Sequence, residues 1–322
     1  MKNRIIGVDI GGTTVKIGIL KVTGDLECKW EIPTDKSEEG QLIVEQICHS
    51  IEDRLDELFI QKQHIMGIGI GAPGFIKAEN GFVYEAVNIG WKNVELTRQV
   101  QDILGLPAFL ENDANVAVLG ENWLGAGNQN KNVLAVTLGT GVGGGIVANG
   151  NVLNGVNGTA GEIGHMTVEP DGYLCNCGRK GCLETIASAT GMVRQAMEMI
   201  EKYPTSLLAE RYQNQEKITP RDIFELEKLD EAARNIIRYT TNVLGMSLAN
   251  VATVLNPSKI IIGGGVSKAG DQLLSRIKEG FSKFALPRIN NVCELKIARL
   301  GNDAGIIGAA FLVKQCMENA KF

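Results

Sequence analysis

The segment that decides the fold is Asp9-Ile10-Gly11-Gly12-Thr13-Thr14-Val15-Lys16. Residues 3–10 predict a buried strand, residues 14–20 alternate as a second strand would, and Gly11-Gly12-Thr13 predicts the hairpin turn between them. Glycines in such a turn let backbone N–H groups approach an anion, and threonine hydroxyls add further donors. Phosphate binding is therefore one interpretation of the segment, and a plain hairpin turn is the other.

The same arrangement recurs in the second half of the chain. Residues 132–138 predict a strand, Gly139-Thr140-Gly141 a turn, and residues 143–148 the returning strand. Two such hairpins predict a duplicated α/β domain with a ligand cleft between the copies. The pair is more informative than either hairpin alone, because two facing turns can bind one polyphosphate from both sides.

Apolar periodicity predicts the remaining elements. Strands are expected over 25–32, 65–71, 107–111, 259–263 and 295–299. Helices are expected over 37–61, 93–104, 115–124, most of 186–256, from 267, and over 303–318, with a polar break near 203–220. Gly263-Gly264-Gly265 lies between a strand and a helix, so it either lies against a nucleotide base or ribose or is only a tight connection.

Composition and charge exclude several classes of protein. The net charge is −5, with no Lys/Arg cluster, which argues against a nucleic-acid partner and against an anionic membrane. No apolar run is long enough to span a bilayer. Asp9 lies inside the first apolar run of the chain, which argues against a signal peptide. The expected compartment is the cytoplasm, where the seven cysteines are not expected to form disulfides.

Three of those cysteines lie within eight residues, shortly after a histidine. His165, Cys175, Cys177 and Cys182 form a closed set of four ligands, which predicts a structural zinc ion (Zn²⁺) with no open coordination position. Gly178 and Gly181 permit the chain to wrap tightly around the ion. Cysteines placed by chance, or a redox pair at Cys175 and Cys177, are the alternatives.

Carboxylates supply the remaining candidate chemistry. In Glu111-Asn112-Asp113-Ala114-Asn115, Asp113 suits a base that accepts an alcohol proton and Asn112 suits hydroxyl recognition. A helix N-cap cluster is the alternative, and the segment taken by itself favours it. Glu162 and Glu184 can each accept two hydrogen bonds from a sugar, or they are simply solvated. Asp9, at a strand end, could hold Mg²⁺ through water.

These motifs, in this order, resemble the ROK (repressor, open reading frame, kinase) family. The resemblance rests on Asp9-Ile-Gly-Gly-Thr-Thr, Gly71-Ala-Pro-Gly, Glu111-Asn-Asp-Ala-Asn, Leu138-Gly-Thr-Gly-Val-Gly-Gly-Gly, Gly161-Glu-Ile-Gly-His and Cys175-x-Cys-Gly-x-x-Gly-Cys-Leu-Glu. Trp30-Glu-Ile-Pro-Thr-Asp35 and Val87-Asn-Ile-Gly-Trp-Lys-Asn93 look most like bacterial glucokinases of the Gram-positive type. The implied fold is α/β, the actin-like and hexokinase-like ATPase (ribonuclease H-like) fold. Its small lobe would hold 1–118 plus 303–322 and its large lobe 119–302.

The resemblance also implies a reaction and a role for each matching residue. ATP would donate its γ-phosphoryl group to the 6-hydroxyl of glucose, with Asp113 as general base. Sugar hydroxyls would be bound by Asn112, Asp113, Glu162, His165 and Glu184, with Gly71 and Asn88 nearby. Mg²⁺ and the ATP phosphates would be held by Asp9, Gly11, Gly12, Thr13, Thr14, Lys16, Thr140 and Gly141. Gly264 and Gly265 would lie near the adenosine.

Several alternatives stay open from the sequence. The sugar could instead be fructose, N-acetylmannosamine or N-acetylglucosamine, the donor could be polyphosphate, or the chain could be a sugar sensor without activity. Family repressors begin with a DNA-binding domain, and an Asp-Ile-Gly-Gly motif at residue 9 leaves no room for one. The family resemblance suggests a homodimer or a dimer of dimers.

Overall fold

A computed structural model describes residues 2–319 of the chain. The strands are β1 Arg4–Ile10, β2 Thr14–Lys21, β3 Leu26–Pro33, β4 Ile65–Ala72, β5 Phe75–Lys77, β6 Phe82–Ala86, β7 Trp91–Val94, β8 Ala108–Asn112, β9 Val133–Leu138, β10 Val142–Ala148, β11 Asn151–Val152, β12 Lys259–Gly263 and β13 Glu294–Ile297. The helices are α1 Ile43–Glu57, α2 Leu96–Leu104, α3 Asp113–Trp123, α4 Glu184–Ala187, α5 Ala189–Lys202, α6 Leu207–Gln215, α7 Pro220–Leu226, α8 Glu231–Leu255, α9 Asp271–Phe284, α10 Pro287–Asn290 and α11 Ala304–Asn319. Among the helices described, none combines the length and the apolar character needed to cross a membrane.

Two five-stranded sheets share one topology. The first has the order β3-β2-β1-β4-β8 and the second the order β11-β10-β9-β12-β13. In each sheet the first three strands of the chain pair antiparallel, and the two later strands add in parallel. The duplicated domain predicted from the two glycine hairpins is therefore confirmed. Parallel strands place their carboxyl ends at one edge, so both hairpin turns lie at the edges that face each other.

A third sheet, β5-β6-β7, was not predicted from the sequence. Its last strand occupies the start of the helix expected over 93–104, and that helix begins only at Leu96. Trp91 explains the difference, because its side chain is buried and its indole N–H donates to the carbonyl oxygen of Gly40, 2.8 Å away. Burial of this large aromatic ring favours the extended strand over the helix.

Two predicted helical regions have different bounds in the structure. The helix expected from residue 37 begins at Ile43, because Ser37–Gly40 forms a 3₁₀ turn in which Glu38 and Glu39 have positive φ angles. The polar break near 203–220 contains α6, whose first turn is capped by the Ser206 hydroxyl. Thr219 then opens α7 with a capping box, so polar residues here begin helices as well as interrupt them.

Helices α3 and α11 cross between the two sheets at very short distance. Gly120 of α3 lies against the backbone of Ala304 and Gly308, and Gly308 of α11 lies against the backbone of Val116 and Gly120. Helix α11 also packs on β1 and β4, so the C-terminal helix returns to the first sheet. The predicted boundary at 118/119 falls inside α3, which contacts both sheets, and the exact division into lobes stays a prediction.

We expect Gly308→Ala to lower the free energy of unfolding by about 1–3 kcal/mol, the typical cost of overpacking a close contact. A methyl group at position 308 would overlap the carbonyl oxygen of Val116, and neither helix backbone can move without disturbing a sheet. Urea denaturation measures the effect. Gly265→Ala is the matched control, because a methyl group there would meet nothing within 4 Å. Equal stability of the two variants would contradict the prediction.

Candidate active site

A cavity of about 900 Å³ lies between the two sheets, where both hairpins and the first turns of α3 and α11 meet. We call this cavity the cleft. Many of the residues singled out in the sequence line it, namely Asp9, Lys16, Asn88, Asn112, Asp113, Gly141, Glu162, His165, Glu184 and Gly264. Four of these are carboxylates. The cations among the lining residues are Lys16 and Arg179, so an anionic ligand here meets both signs of charge.

Other predicted residues lie beside the cleft rather than in its wall. Gly11, Gly12, Thr13, Thr14 and Thr140 belong to the two hairpins. The first turn is closed by the N–H of Gly11, which donates to the carbonyl oxygen of Thr14 at 3.0 Å. The N–H of Gly139 closes the second turn in the same way, on the carbonyl oxygen of Gly141 at 3.0 Å.

Two predicted glycines have surroundings of a different kind. Gly71 is buried in β4, where a methyl group would overlap the side chain of Val116, so close packing explains this glycine. Gly265 lines a second cavity of about 510 Å³ together with Phe224 and Lys268. Gly264 precedes it and lines the cleft, so the glycine run separates the two cavities.

Asn112 and Asp113 stand where β8 ends and α3 begins. Asn112 is the N-cap, and its side-chain oxygen accepts hydrogen bonds from the N–H groups of Ala114 at 2.9 Å and Asn115 at 3.4 Å. The capping interpretation is thus correct for Asn112, and it leaves Asp113 as the first helical residue, with its side chain lining the cleft. Desolvation by the surrounding protein raises the pKa of Asp113, and the negative charge of Glu162 adds to this. The hydrogen bond from Ala114 opposes it.

Asp9 occupies the end of β1, opposite Lys16 of β2 in the antiparallel register. Burial raises the pKa of Asp9 to about 6, against the opposing effect of Lys16, while the charge of Asp113, which follows β8 of the same sheet, raises it further. The first turn of α11 packs directly against this carboxylate. Gly305 makes the approach possible, because any side chain there would overlap the carboxyl group of Asp9.

The cysteine segment forms a compact set of donor atoms. One ligand atom from each of His165, Cys175, Cys177 and Cys182 lies within 4.8 Å of every other. The Nδ1 atom of His165 is 3.7 Å from the sulfur of Cys175, and the sulfurs of Cys177 and Cys182 are 3.6 Å apart. Three thiols and one imidazole at these distances fit a tetrahedral zinc ion with small inward movements.

The geometry links this set to the wall of the cleft. The Nε2 atom of His165, turned away from the thiols, lies 3.9 Å from the carboxylate of Glu162. One oxygen of Glu184 accepts the N–H of Val142 in the second hairpin at 3.0 Å, and the other lies 3.6 Å from the sulfur of Cys175. The donor set, the second hairpin and the carboxylates of the cleft are therefore one connected structure.

Arg179 is a lining residue that sequence reasoning missed. It lies in the turn between Cys177 and Cys182, and its guanidinium group donates to the carbonyl oxygen of His165 at 2.8 Å. Within Gly178-Arg179-Lys180-Gly181 two adjacent cations suggest only a solvated turn. What could have identified Arg179 is its position between Cys177 and Cys182, in a loop that a metal bound to these cysteines would order.

The fold and the site together define a protein of the actin-like ATPase fold, with a carboxylate-lined cleft between two duplicated sheets. A model of the ROK family matches residues 5–316, so the chain belongs to the ROK family. A glucokinase from Halalkalibacterium halodurans is 51% identical over 312 residues, which are 96% of this chain and 94% of that protein.

Two further relatives agree with this assignment. A glucokinase from Thermotoga maritima is 37% identical over 316 residues and covers 98% of this chain and 98% of that protein. The crystal structure of a ROK family glucokinase from Streptomyces griseus, in complex with glucose and AMPPNP, matches with a TM-score of 0.78 at 34% identity. That match covers 97% of this chain and 99% of the other.

Proposed function

We propose that this protein is an ATP-dependent glucokinase, which transfers the γ-phosphoryl group of ATP to the 6-hydroxyl of glucose and gives glucose 6-phosphate. The observation that carries the proposal is the position of Asp113. Its carboxylate lies in a cleft with the two glycine hairpins and with Glu162, His165 and Glu184. The 51% identical relative is named a glucokinase, and the structure from Streptomyces griseus is a complex with glucose and AMPPNP, which supports both substrates.

On the acceptor side, Asp113 removes the proton of the 6-hydroxyl as that oxygen attacks phosphorus. Its raised pKa makes it a stronger base than an ordinary aspartate once it is ionised. Asn112, Glu162, His165 and Glu184 bind the other hydroxyls and orient the ring. Asn88 lines the same cleft and could reach the sugar, whereas the burial of Gly71 favours a packing role.

On the donor side, the backbone of the two hairpins binds the phosphates. Lys16, the cation opposite Asp9, lies at the edge where their negative charge accumulates. Asp9 fits a Mg²⁺ ion held through water, and that ion would neutralise phosphate charge during transfer. Gly264 lines the cleft and Gly265 lines the 510 Å³ cavity beside it, so the adenosine would lie next to this glycine run.

The thiols of Cys175, Cys177 and Cys182, with Nδ1 of His165, would hold a structural zinc ion. The ion would supply a fixed geometry for the loop 165–182 and no reactive group, because the four ligands close its coordination. His165 would then present Nε2 to a sugar hydroxyl, and Glu184 would hold its place between the loop and the second hairpin.

ADP release in a coupled assay, run over a panel of sugars with ATP and with polyphosphate, tests the proposal. We expect the highest kcat/KM with glucose and ATP, because the relatives at 51% and 37% identity share that activity by name. A higher value with fructose, N-acetylmannosamine or N-acetylglucosamine would change the substrate, and polyphosphate turnover would change the donor. Absence of turnover on every sugar would contradict the kinase and favour a sensor.

The oligomeric state, expected to be a homodimer or a dimer of dimers, stays a prediction.

A further inference from the structure

Glu111 is a residue of the Glu111–Asn115 motif to which the proposed reaction gives no role. It is 3% exposed and yet carries no cationic partner among the described residues. One oxygen accepts the backbone N–H of Asn112 at 2.8 Å and the side-chain amide of Asn115 at 3.0 Å. Burying a carboxylate in this way costs free energy unless all of its hydrogen bonds are made.

The second oxygen of Glu111 makes a hydrogen bond that joins the two halves of the molecule. It accepts a hydrogen bond from the side-chain Nδ2 of Asn154, 2.9 Å away. Asn154 follows β11 of the second sheet, 43 residues along the chain, and its own side-chain oxygen accepts from Asn115 at 3.0 Å. Three side chains therefore close a small triangle of hydrogen bonds between the start of α3 and the second sheet.

This triangle is hydrogen-bonded at Glu111 and at Asn154 to two backbone segments that carry residues of the cleft. At one end, the N–H held by Glu111 belongs to Asn112, the N-cap that immediately precedes Asp113. At the other end, the carbonyl oxygen of Asn154 accepts the N–H of Ala160 at 3.2 Å, two residues before Glu162. The triangle therefore joins the segment that carries Asp113 to the loop that carries Glu162 and His165.

We propose that the Glu111–Asn154 hydrogen bond is a positioning contact, which fixes Asp113 relative to the sugar-binding loop 160–165. The inference rests on the proposed function, since it gives these two residues a role in that reaction without contact to substrate. Phosphoryl transfer depends on placing the attacking oxygen and its base correctly, and a displacement of about 1 Å can cost about 10²-fold in rate. The ATP phosphates are held by the hairpins, which the triangle does not touch.

A polarity swap tests this inference. In Glu111→Gln the new amide group would face Nδ2 of Asn154, donor against donor. Rotating the Asn154 amide would only set its Nδ2 against Nδ2 of Asn115. In Asn154→Asp two carboxylates would face each other. The double variant restores every bond, because the introduced glutamine amide donates to one oxygen of the introduced aspartate while Asn115 donates to the other. It also keeps the net charge of the wild type.

We expect each single variant to lower kcat/KM for glucose by about 10–100-fold, with the KM for ATP unchanged. The double variant should recover most of the loss. Asn157→Asp is the matched control for Asn154→Asp, because it introduces the same charge three residues further along the same loop. The exposed amide of Asn157 has no hydrogen bond to Glu111, so this variant should retain wild-type kinetics.

Two outcomes would overturn the inference: folded single variants with wild-type kcat/KM for glucose, or a folded double variant as impaired as the worse single one. If Glu111→Gln does not fold, Asn154→Ala replaces it, since Asn154 is only half-buried. Wild-type turnover on the sugar panel tests the proposed function separately, because all variants are compared with the wild type on its best sugar.

Discussion

Asp113→Asn is expected to retain glucose binding and to lose about 10²–10⁴-fold in kcat, the usual effect of removing a positioned general base. In the wild type the N–H of Ala114 donates to the Asp113 carboxylate at 2.8 Å, and the asparagine side-chain oxygen can accept the same hydrogen bond. The start of α3 therefore keeps its geometry in the variant. What disappears is the capacity to accept the hydroxyl proton. Coupled ADP release gives kcat, and calorimetry gives the dissociation constant of glucose.

The pH profile provides a second readout of the same residue. Desolvation by the protein around the cleft raises the pKa of Asp113, although its side chain is open to the cleft, and a base acts only when it is ionised. Activity should therefore rise with pH through an acid limb that lies above the ordinary aspartate pKa of about 3.9. In Asp113→Asn the part of this limb that belongs to Asp113 should be absent from the residual activity, while the titration of Asp9, whose pKa is raised to about 6, remains. A mutation that merely disturbs the fold would leave the whole limb in place.

Asp102→Asn is the matched control, because this exposed carboxylate on α2 lies away from the cleft, and within residues 2–319 its one ion pair is a long contact of 3.9 Å with Arg98. It should keep both kcat and the acid limb. A kcat for Asp113→Asn within about threefold of the wild type would remove Asp113 from the role of base, since far larger losses are typical.

The duplication was predictable from sequence because it depends on local chemistry. Gly11-Gly12-Thr13 and Gly139-Thr140-Gly141 each stand between two apolar runs, and turn residues between alternating strands indicate a hairpin without knowledge of the rest of the fold. The third sheet escaped prediction for the opposite reason. Its strands are three to five residues long, and they are stabilised by packing such as the burial of Trp91 against Gly40.

The candidate site divides in the same way. Residues within one short motif, such as Asn112 with Asp113 or Cys175 with Cys177, could be singled out because their spacing is visible in the sequence. Asn154 was missed, since its bonds to Glu111 and Asn115 exist only after two sheets have come together. Gly305 was missed likewise, because its contact with Asp9 requires the C-terminal helix to return to the first strand.

Glu184 connects the two halves of the proposed chemistry. It accepts the N–H of Val142 in the second hairpin, and its other oxygen lies 3.6 Å from the sulfur of Cys175. Gly141 has room for this contact only because it lacks a side chain, which would overlap the carboxylate of Glu184. Ordering of the cysteine loop should therefore affect both sugar binding and the geometry of the second hairpin, which is proposed to bind the ATP phosphates.

Cys177→Ser is expected to remove the zinc ion, to lower the melting temperature and to raise the KM for glucose by about 10–100-fold, the usual consequence of disturbing the shell that orients a site. Cys177 is the exposed cysteine of the set, whereas Cys182 is fully buried. The change to serine at position 177 thus leaves no cavity in the core, and its effects arise through the metal. Without the proposed ion, His165 would lose the contact that aims Nε2 at the cleft.

Metal analysis of the wild type should find about one zinc per chain, as four closed ligands require. Cys28→Ser is the matched control, because it makes the same chemical change at a half-buried thiol outside the set and should keep both zinc and KM. Removal of zinc from the wild type by a chelator should reproduce the Cys177→Ser kinetics, since both act on one ion. A zinc-free enzyme with unchanged KM for glucose would separate the metal from sugar binding and refute its role in placing His165.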